Sequence, residues 1–532
     1  MQEPEQNYSK ISSWFLGLKE KIEKNAGAFF VFTLLLFWLG VFLAQSVNLV
    51  STDLGRHIEN GRYFLETHKI PDTNLYSYTY PDVPFINHHW GSGVLFYLIW
   101  KVAGISGLSF LYIGLSLLTF GLLFFQAKKF AGLALATLSA VLVIPLIGER
   151  TEIRPEVFSH FFAVIFFLLL WKYEKGELKT DLLFLLPVLS LLWVNLHIYF
   201  IFGIGLIGLF LLDTMWEKSW SKFRILFLVL ILTIGASLIN PFGIKGLIYP
   251  LNIFRNYGYR VLENQSVSFL TNLGFINNPN LLIFKIVLFI LLASIVLIFA
   301  FNRKRINWPL LGLSLAVSAL GWSALRNFSL FGYFALPALA YNLKYGLRKK
   351  IDLNDGWSKI IIYFLACVFF IFFSNLFQGK LLQENNVGSK EQTQNASAIF
   401  FKENKLSGPI CNNYDIGSYL IFHLYPGEKV FVDNRPEAYP DAFFKEVYVP
   451  MQEDNEVWKR VMEQYDFNVI YFYLGDATNW GQEFLVKRVK DPEWAPVFAD
   501  EYAIIFLKRN EKNKDLISRF EISQERFRIM EQ

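Results

Sequence analysis

Between Asp53 and Arg62 the stretch STDLGRHIENGRYF places Asp53, Arg56, His57, Glu59 and Arg62 within ten residues. Carboxylates and imidazoles serve as proton acceptors and donors, and guanidinium groups grip phosphate oxygens in bidentate fashion. The stretch directly follows a long apolar run, so these groups stand where a membrane span would end. If DLGRHIENGRYFLE is helical, Asp53, His57 and Gly61 share one face at i, i+4 and i+8. Ser51 or Thr52 is placed to cap that helix. Gly61 leaves room for another element, and Leu54, Ile58 and Leu65 give an apolar side for lying on a bilayer. The plainer reading, charges solvated just beyond a span end, stays open.

Other polar groups recur at similar places. PFINHHWGSG holds His88 and His89, which as sequence neighbours point apart and make a poor metal site alone. In GERTEIRPE, Arg150 and Arg154 stand four apart with Glu149, Glu152 and Glu156 beside them. They either grip a phosphate or pair with those carboxylates, and both readings stay open. His160 lies inside an apolar run and reads as a packing group. His197, Asn240, Glu263 and Arg326 each sit between apolar runs, and ionisable groups near bilayer depth are costly enough to mark function.

The elements that must position these residues are membrane spans. The chain of 532 residues is 54% hydrophobic and only 18% charged, with 55 Phe, 25 Tyr and 14 Trp. An ordinary soluble domain carries about 25% charged residues. The net charge of +5 gives no nucleic-acid surface. Two cysteines, Cys367 in an apolar run and Cys411 in a polar region, imply neither a disulfide nor a zinc motif. Apolar runs of span length fall at 28–49, 107–126, 131–147, 157–171, 181–196, 198–213, 224–240, 281–301, 308–324, 328–343 and 358–378, about eleven spans in all. The shorter GSGVLFYLIWKVAG, 91–104, reads as a re-entrant or interfacial piece. The expected fold is thus an α-helical polytopic membrane protein, with the first apolar run retained as a span.

With residues 1–27 on the cytoplasmic side, the loops KEKIEKN, AKKF, KYEKGELK, WEKSWSKFR, FNRKRIN and KYGLRKK all face inward, and all are basic and short. The first loop (50–92), GERTEIRPE, His197, Asn240, the 250–280 loop and Arg326 then face outward and describe one polar pocket. Residues 28–378 form the membrane domain, and 379–532 lie outside. From about 390 the composition becomes that of a small α/β domain. VFVDNR, NVIYFYL and YAIIFLKR read as strands, and ASAIFFKEN, DIGSYLIFHL and NEVWKRVMEQY as helices. In VFVDNRPE, Asp433 and Arg435 read more readily as a structural ion pair than as ligand-binding groups.

DLGRHIENGRYFLETHKIPDTNLYSYTYPDVPFINHHWGSGVLFYLIW resembles the first outer loop of bacterial membrane glycosyltransferases of the GT-C class. The matching residues are Asp53, His57, Gly61, the run PDTNLYSY and His88 with Trp90. RPEVFSHFF, NPFGIKGLIYP, ALRNFSLFGYFALP, NNYDIGSYLIFHLYPGEKVFVDNRPEAY and DPEWAPVFADEYAIIFLKR extend the resemblance over nearly the whole chain. It implies transfer of a sugar from a polyprenyl-phosphate-linked donor to a cell-envelope acceptor (lipid, glycan or protein) on the outer face of a bacterial cytoplasmic membrane. The implied displacement is inverting. Asp53 is the base and His57 its neighbour, and Arg150, Arg154 and Arg326 are leaving-phosphate candidates. His88, His89, Glu149, His197, Asn240 and Glu263 are candidate substrate contacts. No cofactor is implied. A divalent metal stays open, without an Asp-x-Asp pair to support it, since Gly55 stands two after Asp53. Transfer of a preassembled glycan from a lipid diphosphate, and non-catalytic glycolipid binding or transport, are the alternatives.

Overall fold

The computed structural model describes residues 26–252, 258–274, 278–347, 356–377 and 395–527. The basic run KEKIEKN and the last three residues of KYGLRKK lie outside them. Every apolar run has a helical counterpart: α1 (Ala26–Leu43), α3 (Trp90–Ala131), α4 (Leu133–Ile147), α5 (Glu156–Glu174), α6 (Leu185–Leu196), α7 (Phe200–Trp216), α8 (Trp220–Ser237), α11 (Pro279–Phe301), α12 (Trp308–Ser323), α13 (Phe328–Leu347) and α14 (Gly356–Leu376). Among the described residues α1, α3, α5, α8, α11 and α14 are long and apolar enough to cross a membrane. The piece 91–104 is the first part of α3, bounded by Gly104, whose φ of 59° breaks the helix. Short helices α2 (Leu54–Thr67), α9 (Gly243–Ile248) and α10 (Val267–Asn272) lie in the connections.

The described residues form two compact units. One comprises 26–45, 116–151 and 263–377, the other 46–115, 152–262 and 395–527. In the first, α13 packs on α4, α11 and α12, and its residues from Phe328 to Ala340 are all buried. This explains why it is apolar all round rather than striped. Gly321 and Gly332 let Phe284 and Ile147 approach where a Cβ would clash at 2.6 and 2.9 Å. One end of this bundle gathers basic chain: Lys344 donates to the Phe130 carbonyl (2.6 Å) beside Lys128 and Lys129, and Tyr341 to the Arg305 carbonyl (2.9 Å). At the other ends of the same helices lie Glu149, Arg150, Asn278 and Arg326.

In the second unit, α6 and α7 pack on α8, and α5 on α7. Here too one end is basic: Lys222 donates to the Glu174 carbonyl (2.8 Å) beside Lys172 and Lys175. The opposite end is tied by side chains. Trp90 donates to Asn195 (2.9 Å), Ser92 to the Leu196 carbonyl (2.6 Å) and Asn195 to the Ile239 carbonyl (3.0 Å).

The C-terminal part of this unit is a four-stranded sheet of β1 (Ile410–Asn412), β2 (Val469–Tyr473), β3 (Trp494–Ala499) and β4 (Ala503–Lys508). Its order is β1-β2-β4-β3, with only the β1/β2 pair parallel. NVIYFYL and YAIIFLKR supply β2 and β4, and the three expected helices are present at Ala396–Glu403, Gly417–Leu424 and Asn455–Tyr465. VFVDNR is not a strand of this sheet. Val430 instead bridges to Ser77 of the first loop, giving its amide to the Tyr76 carbonyl (3.0 Å) and taking the Tyr78 amide (3.2 Å). The Asn412 side chain occupies the other side, accepting from the Phe431 amide (2.8 Å) and donating to the Val432 carbonyl (2.7 Å). An alternating pattern shows an extended segment but not which neighbour it pairs with.

Candidate active site

Helix α2 sets the site. Asp53 is its N-cap residue, but its φ and ψ (−74°, −7°) are already helical and its side chain caps nothing. Neither Ser51 nor Thr52 caps the helix, and Thr52 donates instead to the Asn48 carbonyl (2.7 Å). The Asp53 carboxylate is therefore left for other partners: Arg154 Nη1 lies 3.4 Å away and Arg56 Nη2 3.8 Å. The Asp53 side chain keeps 19% of its surface, against 16% for Arg154 and 6% for Arg56. Arg154 also holds Glu152 at 2.6 Å, and Pro155, directly after it, restricts its backbone at the entry to α5.

Two of the three residues on the apolar side of α2 meet protein, and Leu65 stays exposed. Leu54 and Ile58 are each 1% exposed. The helix Gly417–Leu424 packs on α2, and Ser418 Oγ accepts the Arg56 amide at 2.9 Å. Gly61 does admit a second element: a Cβ there would stand 2.1 Å from the Gly93 carbonyl.

Four imidazoles follow from this placement. His57 meets His89 edge-on at 5.2 Å between centroids, His89 lies 3.9 Å from His88 and 5.1 Å from His197, and His88 lies 5.1 Å from the Tyr249 ring. His197 Nδ1 is 2.7 Å from Ser159 Oγ. Burial first, then neighbouring Arg56 and Arg154, push His57 well below the usual histidine range; burial, then the other imidazoles, do the same for His89. Both are neutral at pH 7, so they offer hydrogen bonds rather than positive charge.

The remaining candidates lie elsewhere or are engaged locally. Arg150 pairs with Glu263 at 2.7 Å, and Arg326 donates to the adjacent Asn264 at 3.0 Å, so these three gather in the first unit. Glu149 accepts from Asn278 (2.8 Å) and from Asn280. Asn240 holds its own turn, donating to the Ser237 and Gly243 carbonyls (2.9 Å each).

The C-terminal sheet contributes groups that sequence reasoning did not single out. Asp415, three residues beyond β1, is pushed up to about 7 by burial and then by Asp476 and Asp53. Glu437, in the field of Arg56 and Arg435, is also raised by burial. The available signal was position: ligands gather beyond the carboxyl ends of parallel strands, but β1 has only three residues. Asp433 and Arg435 form the expected ion pair, with Nη2 2.6 Å and Nε 2.7 Å from the carboxylate. Arg435 also donates to Asn74 of the first loop at 2.7 Å. Among the described residues no three His, Cys, Asp or Glu side chains converge as metal ligands.

No family model and no curated protein matches the chain. Solved structures do. The archaeal oligosaccharyltransferase AglB from Archaeoglobus fulgidus, in complex with an inhibitory peptide and a dolichol-phosphate, aligns with a TM-score of 0.59 and 12% identity over 89% of this chain and 73% of its own. The A. fulgidus oligosaccharyltransferase tethered to an acceptor peptide gives 0.58 and 12% over 92% and 75%. ArnT from Cupriavidus metallidurans in the apo state gives 0.51 and 12% over 91% and 98%. The fold is that of the GT-C membrane glycosyltransferases. At these identities the likeness is one of fold. It supports a protein integral to a membrane, as the six long apolar helices do.

Proposed function

We propose that this GT-C-fold protein transfers a sugar from a polyprenyl-phosphate-linked donor to a cell-envelope acceptor, with Asp53 as base. The observation that carries the reading is the Asp53 carboxylate, partly open and held between Arg154 and Arg56. An acceptor hydroxyl loses its proton to Asp53 as its oxygen attacks the anomeric carbon from the face opposite the phosphate. The anomeric carbon–oxygen bond breaks, and the phosphate leaves with the electron pair. Arg154 and Arg56 face that developing charge. The neutral His57 and His89 orient substrate by hydrogen bonds. AglB was solved with a dolichol-phosphate, which supports a lipid-linked donor here.

The proposed topology has about eleven spans, residues 1–27 inside, the site outside, and 379–532 as an outer domain at a bacterial cytoplasmic membrane. The gathering of Lys and Arg at one end of the helices in each unit supports it.

The test is complementation of a deletion strain with wild type or Asp53→Asn, read by mass spectrometry of surface glycans. Wild type restores a missing glycan. The Asn variant at equal abundance is expected to fall by about 10²–10⁴-fold. Full restoration by Asp53→Asn would remove Asp53 as the base. The mass of the transferred group separates one sugar from a preassembled glycan.

A further inference from the structure

A cavity of about 500 Å³ adjoins the candidate site in the second unit. Its walls are the first-loop segment around Asp72 and Phe85, the α9 region with Phe242, Lys245, Tyr249 and Asn252, and Glu437 of the C-terminal part. A ring contact joins it to the groups already described, with Tyr249 5.1 Å from the His88 ring, and Glu437 lies in the field of Arg56. Its volume is within the roughly 300–1,000 Å³ of small-molecule sites.

We infer that this cavity binds the neutral ring of a sugar, oriented toward Asp53, and not the lipid phosphate. This rests on the transferase reading above and names the substrate part that the cavity takes. Three features argue for it. Phe242 and Tyr249 offer aromatic faces, against which the C–H face of a sugar ring packs. Asp72 and Glu437 accept hydroxyl hydrogens, Lys245 donates, and Asn252 does both, matching groups that are donor and acceptor at once. The cavity wall also offers a phosphate one ammonium, Lys245, beside two carboxyl groups, whereas Arg154 and Arg56 offer two guanidinium groups at Asp53. The assignment thus separates the two ends of a sugar phosphate: guanidinium groups for the charge, carboxylates and rings for the sugar.

The test is saturation-transfer NMR on the full chain in lipid nanodiscs, with glucose, N-acetylglucosamine and glucose 1-phosphate as probes at millimolar concentration. At least one neutral sugar is expected to receive saturation, more strongly than glucose 1-phosphate. Tyr249→Ala should weaken it by about tenfold. Asp72→Asn, at an exposed position, should weaken it severalfold, while Asp53→Asn retains it. No saturation of any probe, equal binding in Tyr249→Ala and Asp72→Asn, or preference for the phosphate ester would overturn the assignment. Binding that persists while wild type transfers no glycan in the complementation assay sinks the transferase reading and leaves the cavity standing. Transfer with donor and acceptor KM unchanged in Tyr249→Ala does the reverse. A KM that rises for one substrate alone identifies the ring in the cavity as donor or acceptor.

Discussion

A carboxylate that acts as a base is shaped by the charges around it. Arg154 and Arg56 lie 3.4 and 3.8 Å from the Asp53 carboxylate, while Asp415 is held protonated up to about 7 by burial and then by Asp476 and Asp53. Asp415 has an ordinary value of 3.8, so between roughly pH 4 and pH 7 the folded chain retains a proton that the unfolded chain has released. Stability therefore falls as pH rises through that window. Asp415→Asn should flatten the slope and leave the protein about 2–4 kcal/mol more stable above pH 7 than wild type, read by thermal unfolding at about pH 5 and about pH 8. Because Asp53 is one cause of the shift, Asp53→Asn should flatten the same slope in part. An unchanged slope in Asp415→Asn would show that Asp415 does not carry the effect, and an unchanged slope in Asp53→Asn that the two carboxyl groups do not share a field. Asp53 was legible in the sequence from its place at a span end. Asp415 was not, because the carboxylates that shift it, Asp476 and Asp53, lie 61 and 362 residues away in the chain.

At the scale of elements, α2 is fixed by two close approaches. Gly61 accepts the Gly93 backbone on one side, and Gly55 lies where a Cβ would stand 2.8 Å from the Ser418 carbonyl on the other. Backbone atoms cannot rotate away as side chains do, so Gly61→Ala should cost about 1–3 kcal/mol and lower the unfolding temperature. Gly114→Ala is the control. Nothing stands within 4 Å of its Cβ position, and it lies inside α3, so the change should be neutral or slightly stabilising. Equal unfolding temperatures for the two variants would mean that α2 is not wedged against α3. The i, i+4, i+8 spacing of Asp53, His57 and Gly61 disclosed the packed face. The adjacent face was misread because Leu54 and Ile58 are equally suited to lipid and to a protein wall. Only the docking of the Gly417–Leu424 helix distinguishes these, and a contact so distant in sequence leaves no local periodicity.

At the scale of the molecule, the C-terminal sheet and the first loop belong to one compact unit, and a buried ion pair ties them. Arg435 is 1% exposed, bound to Asp433 and Asn74, and its guanidinium lies over the Phe85 ring at 4.7 Å. Arg435→Ala would leave the Asp433 carboxylate buried without its cation, at a cost of about 3–5 kcal/mol. Hydrogen exchange over 70–86 should then accelerate ahead of exchange in β2 and β4. Uniform exchange would show that the loop stands without the pair. The same unit also tests the proposed orientation. Its basic turn carries the exposed Lys218, and the loop end after α2 carries the exposed Lys69. The hydropathy pattern made both legible as loops, but Lys and Arg bias alone assigns their sides. In intact cells with a permeabilised outer envelope, a membrane-impermeant thiol reagent should label Lys69→Cys at once. Lys218→Cys should be labelled only after the inner membrane is opened, with the buried Cys411 silent in both. The reverse pattern would place Asp53 on the cytoplasmic face. The proposed outer-leaflet donor could not reach it there.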